Sequence, residues 1–143
     1  MKNLLKIIPL FIFAMSCKAQ SPIIDIKDYN GDPLQNAYYK DINNLLDPFV
    51  GNYIYTNGNT SLKIMLQKKT MSFDGYQYED VLIGEYEYIE NGILKMTTLN
   101  NININYINQN EHSLSGNGIE SMGDYACQGC VAGEVRLRGG LVE

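Results

Sequence analysis

The sequence predicts an all-β fold built as an antiparallel meander, and two observations carry that expectation. The first is a pair of Asn-Gly dipeptides, Asn57-Gly58 and Asn91-Gly92, each flanked by strand-forming residues. Asn followed by Gly meets the positive φ angles of a tight hairpin turn at least cost, so each pair marks a two-residue β-hairpin of type I′. The second is alternation with period two. Leu62, Ile64 and Leu66 fall on one face and Lys63, Met65 and Gln67 on the other, so the first set is expected to point inward. Tyr86 and Tyr88 share a face opposite Glu85 and Glu87, and Ile102, Ile104 and Tyr106 alternate with Asn101, Asn103 and Asn105.

Taken in order, residues 1–20 read as an export signal. Lys2 and Lys6 make a positive start, and Leu4 to Met15 is an apolar run too short to span a bilayer as a helix. Ala14-Met15-Ser16-Cys17 follows and resembles a bacterial lipobox, in which Cys17 is lipid-modified and becomes the new N-terminus. Ordinary cleavage near Cys17-Lys18-Ala19-Gln20 is the competing reading. Under either, the mature chain leaves the cytoplasm and disulfides become permissible.

Residues 21–48 read as a polar approach segment with a turn at Asn30-Gly31-Asp32-Pro33. Tyr38/Tyr39, Ile42 and Leu45/Leu46 have helical spacing, which predicts one short helix over residues 36–46, ended by Asp47-Pro48. The β domain then occupies residues 49–143, with strands expected at about 50–56, 60–68, 81–89, 93–98, 101–107 and 133–138. Residues 70–80 read as a solvated loop. Asp74, Glu79 and Asp80 lie there, but their spacing lacks the regular alternation of ligands in a calcium loop. Residues 114–123, rich in glycine and serine, also read as a loop. Gly139-Gly140 reads as a turn, and Leu141-Val142-Glu143 as the start of a further strand, which suggests a C-terminally truncated domain forming a curled sheet or an incomplete barrel.

Composition narrows the function classes. The chain has 143 residues, enough for one domain. Eleven Lys and Arg against 16 Asp and Glu give a formal charge of −5, which argues against a nucleic-acid partner. His112 is the sole histidine, with no base, acid or ligand partner near it in the sequence, and reads as an exposed or structural residue. Cys127-Gln128-Gly129-Cys130 admits three readings: a disulfide across a tight turn, a redox-active pair, or half of a zinc site. Lipidation of Cys17 would leave Cys127 and Cys130 as an even pair, which favours the disulfide. No residues call for a metal or other cofactor, and no catalytic set stands out.

The sequence resembles a family of unknown function made up of small exported, lipoprotein-like proteins common in Bacteroidota. The residues that carry the resemblance are Tyr38-Tyr39-Lys40-Asp41-Ile42-Asn43 leading to Phe49-Val50-Gly51, the hairpin at Tyr55 to Gly58, Tyr78 to Tyr86, and Cys127 to Cys130 followed by Glu134 and Arg136. The resemblance implies a longer chain with further strands, and no catalytic residues. Gly51-Asn52-Tyr53 also resembles the Gly-x-aromatic start of lipocalin-like barrels. The expectation is therefore a non-enzymatic lipoprotein of the cell envelope, outer-membrane or periplasmic, held at the membrane by a lipid anchor. Its β-meander would bind a small apolar ligand or an envelope protein on a Tyr- and Ile-lined face. The alternative is a thiol-disulfide active or metal-binding protein using Cys127 and Cys130.

Overall fold

The computed structural model describes residues 21–121 and 129–141. The export signal with Cys17, and Cys127 of the cysteine pair, lie outside the described residues. So do Val142 and Glu143.

One long strand, β5 (Tyr78–Glu90), is the beam of the molecule. Its partner along one edge is β4 (Thr60–Phe73), antiparallel from Ser61↔Ile89 to Phe73↔Tyr78, and β3 (Gly51–Asn57) lies outside β4. Three short strands share the other edge of β5 in succession. β2 (Tyr38–Lys40) pairs with Tyr78 and Glu79, β7 (Leu114–Ser121) with Leu82 to Gly84, and β6 (Ile93–Thr97) with Glu87 to Glu90. β1 (Ile23–Asp25) lies outside β2, and β8 (Val135–Leu141) outside β7. The eight strands form one open sheet that does not close into a barrel among the described residues.

The fold is all-β, as expected, but the sheet is mixed. β1–β2 and β2–β5 are parallel pairs, and this corrects the purely antiparallel meander. The helix expected over 36–46 is absent. Tyr38 to Lys40 are extended instead, because the Tyr38 amide donates to Pro22 O and the Tyr78 amide to Ala37 O, which zips the segment into the sheet. Backbone pairing supplied by distant strands outweighs a weak local helical pattern. The strand expected at 101–107 is also absent. Leu99–Asn103 forms a 3-10 turn that lays Ile102 into the core, while Ile107 is 91% exposed. With β7 and β6 already on the edge of β5, this Asn-rich stretch covers a face of the sheet rather than extending it. Asn suits turns better than strands.

The glycine-rich stretch read as a loop is strand β7, and Gly139-Gly140 lies within β8 rather than in a turn. Leu141 therefore lies in the same strand as Gly139 and Gly140 and does not begin a new one after a turn. The glycines are there for close approach. A Cβ on Gly116 would lie 2.5 Å from Gly139 Cα and 2.6 Å from Arg138 O, so only bare backbone lets β7 and β8 cross at that point.

Both hairpins form, with different turns. Asn91 and Gly92 both have positive φ, 53° and 76°, the type I′ pattern. In the first hairpin Asn57 pairs with Thr60, so the loop is Gly58-Asn59, and of these two only Gly58 has positive φ, at 58°. That is the type II′ pattern and corrects the I′ assignment there. The two tips meet where the Gly92 amide donates to Asn59 O at 2.8 Å.

Candidate functional site

Alternate residues of β5 share a face, and its odd-numbered positions describe the inner side of the sheet. Val81 and Ile83 pack there with Ile102 and Met65 as the apolar core. Met65 thus faces inward, opposite to expectation, because Met65 is directly across from Glu85 in the β4–β5 register. Ile64 and Leu66, expected inside, line a shallow apolar groove of about 260 Å³ on the other face with Leu82, Leu114, Leu137 and Leu141. A carboxylate flanks the Val81–Ile83 pair on each side along this row, Glu79 before it and Glu85 after it.

Glu79 lies in the wall of a cleft of about 600 Å³, within the range of small-molecule sites. Parallel pairing sets Tyr39 of β2 beside Glu79 of β5. The 3-10 turn after β1, Ile26–Asp28, brings Lys27 and Tyr29 into the lining, and β8 supplies Arg138. Asn110 Nδ2 donates to Glu79 Oε1 at 2.9 Å and Asn117 Nδ2 to Oε2 at 2.7 Å. Burial raises the pKa of the Glu79 carboxyl, and the two amide donors only partly offset it. Gln77 also lines the cleft, and its buried Oε1 has no partner among the described residues. Tyr39 stands edge-on to Tyr29 at 5.4 Å between ring centres.

Glu85 and His112 are sealed on the other side of that pair, both under 2% exposed. Glu85 Oε1 is 2.7 Å from His112 Nδ1, and Ser113 Oγ donates to Oε2 at 2.5 Å. Burial opposes the charge on Glu85, but hydrogen bonds from Ser113, Thr98 and His112 outweigh it and hold the carboxyl below its ordinary value. An ionised carboxylate only accepts, so Nδ1 of His112 carries the hydrogen it shares with Glu85. Tyr106 meets the imidazole edge-on at 4.8 Å. Ser, His and Glu together suggest a hydrolytic triad by composition, yet the connection is wrong for one. The serine and the histidine both bond to the carboxylate, whereas an activated nucleophile must bond to its base.

A third polar cluster ties β2 to the sheet. Asp80, 2% exposed, accepts from Tyr38 Oη, the Asp41 amide and the Met71 amide. Asp41 accepts from the Leu45 and Leu46 amides and from Lys68 Nζ at 2.8 Å, and Lys68 also reaches Asp47. Burial opposes the Asp41 charge, but Lys68 and the two amides prevail and lower its pKa. Burial likewise opposes the Lys68 charge, and the two aspartates more than restore it, raising its pKa. Every carboxylate oxygen of Asp80 and Asp41 is taken by a backbone amide, the Tyr38 hydroxyl or Lys68, which marks the cluster as architecture.

The structure separates the residues that the sequence put forward. Asp74, Glu79 and Asp80, read together as a solvated acidic loop, have three different roles: Asp74 caps a tight turn by accepting the Tyr76 and Gln77 amides, Glu79 faces the cleft, and Asp80 is buried. Among the described residues no group of three His, Cys, Asp or Glu side chains is placed to hold a metal ion. His112 is structural, and its partner is Glu85, 27 positions away in sequence. Cys130 is half-buried just before β8, and with Cys127 outside the described residues the expected bridge is not described. Asn110, Asn117 and Arg138 carried no signal in the sequence, because three separate elements bring them together.

Fold and cleft define a class: an open, mixed β-sheet protein with a small-molecule-sized polar cleft beside the start of its central strand. The chain belongs to the family of unknown function DUF6705, whose model matches residues 1–140. No curated protein matches the chain. No solved structure matches it either.

Proposed function

We propose that this chain is a non-enzymatic, lipid-anchored protein of the cell envelope whose β-sheet domain holds a small ligand in the Glu79 cleft. The observation that carries the reading is the cleft itself: about 600 Å³, walled by Tyr39, Glu79, Asn110 and Asn117, from four different elements that the fold must converge to make it. The anchor is supported by the lipobox-like Ala14-Met15-Ser16-Cys17 after a short apolar run. Export in turn supports a Cys127–Cys130 disulfide, since lipidation of Cys17 leaves those two as a pair.

The binding part of the reading is tested by heteronuclear NMR of the purified protein against a fragment collection. Binders that move the side-chain amide signals of Asn110 and Asn117 support it, and a collection that moves none of them refutes it. The anchor is tested by globomycin, which should accumulate the unprocessed form. A Cys17→Ser protein that still fractionates with membranes at its normal size refutes lipidation. The apolar groove beside Leu66 and Leu82 favours a second reading, in which a small apolar molecule is carried on the opposite face. A fatty acid that shifts Leu66 and Leu82 methyl signals would select that reading.

A further inference from the structure

We infer that the Glu79 cleft takes a neutral, polyhydroxylated ligand, a mono- or disaccharide, an assignment that rests on the cleft being the binding site. The argument is a balance of donors and acceptors. Asn117 spends its two Nδ2 hydrogens on Glu79 Oε2 and on Asp80 O at 3.2 Å, whereas Asn110 spends one on Glu79 Oε1 and keeps the other. Among the described residues neither Asn110 Oδ1 nor Asn117 Oδ1 takes a donor in return. A carboxylate has about four acceptor positions, and Glu79 uses two on the asparagines. The open valences of this wall are acceptors on the asparagines and Glu79 and donors on Asn110, Lys27 and Arg138, so the ligand that answers them both donates and accepts, as a hydroxyl does.

Hydroxylated molecules and ammonium compounds both supply donors, but only a hydroxyl also accepts. Lys27 and Arg138 line the cleft together with Glu79. Arg138 keeps a 3.3 Å contact with Glu120, and its side chain is 71% exposed. The hydroxyls of a neutral polyol accept from Lys27 and Arg138, which an ammonium group cannot do. Tyr29, 48% exposed and edge-on to the buried Tyr39, adds an aromatic surface against which the C–H face of a sugar ring can pack.

The test is an NMR titration of the labelled full mature protein with maltose, cellobiose and N,N′-diacetylchitobiose, with glycylglycine and spermidine as charged comparators. The expected result is saturable movement of the Asn110 and Asn117 side-chain signals with at least one of the three saccharides. Glu79→Gln should weaken that binding about tenfold or more, through loss of a charged acceptor. Lys95→Ala, on β6 away from the cleft, should leave it unchanged. The wild-type titration does not depend on any variant folding. Movement with glycylglycine or spermidine but with no saccharide overturns the saccharide assignment and leaves the binding site standing. No movement with these probes or with the fragment collection overturns both.

Discussion

Glu79 and Glu85 are the same residue type on the same face of the same strand, six positions apart, and the fold treats them in opposite ways. Glu85 is enclosed: it is 1% exposed, His112 and Ser113 supply donors, and its pKa falls. Around Glu79 the partners are neutral amides on one side and an open cleft on the other, and its pKa rises. Burial alone does not decide the charge of a carboxylate. What decides it is whether enough donors accompany the burial. A carboxylate whose bonds are all satisfied internally holds the molecule together, and one left partly unsatisfied beside empty space is available to a ligand.

Substitutions at the two glutamates should separate these roles. Glu85→Ala strands the His112 and Ser113 donors in a dry interior and should cost about 3–5 kcal/mol, read by urea unfolding. Glu79→Ala should cost much less, since its asparagine partners border a cleft that admits water. Equal losses would erase the distinction. Gly84→Ala tests the strand between the two sites. Its Cβ would meet Leu66 Cδ2 at 2.5 Å and Met65 O at 2.9 Å, so overpacking of about 1–3 kcal/mol is expected. Gly92→Val, at φ 76° beyond the Glu85 end of β5, should cost about 1–2 kcal/mol through left-handed strain. A melting temperature equal to that of the wild type would remove the I′ turn from the account.

The smallest and sharpest test is pH. Both carboxyls have an ordinary value of 4.5. Glu85 is lowered on folding, so its contribution is present above that value and fades as pH falls through its folded pKa. Glu79 is raised, so its stabilising contribution is present below the ordinary value and is lost as pH rises through its folded pKa. Between pH 3 and 7 the stability difference between wild type and Glu85→Gln should therefore grow in favour of the wild type. The difference between wild type and Glu79→Gln should move the other way. Parallel trends would show that the two environments are alike.

Much of the fold was legible in the residues, and little of the cleft. The hairpins at Gly58 and Asn91-Gly92 were readable because turn chemistry is local: a positive φ needs Gly or Asn wherever it occurs. The long strands β4 and β5 were readable because 13 or 14 residues give periodicity room to show. β1 and β2, three residues each, are too short for that. β7 was hidden by its own glycines, whose purpose is a close approach to β8 that no local pattern announces. The inward face of β4 was misjudged because both its faces carry apolar side chains, so alternation gave the period without giving the side.

The sequence by itself determined that the chain is all-β, where it turns, and which segments are long strands, since these follow from backbone sterics and side-chain spacing over a few residues. Only the tertiary structure decided that the sheet is mixed, that His112 belongs to Glu85, and that Asn110 and Asn117 meet at Glu79. Each of those depends on elements 27 to 40 or so positions apart arriving at one edge of β5. That edge is shared by three short strands, and which strand takes which part of it is settled by competition for the same backbone amides and carbonyls.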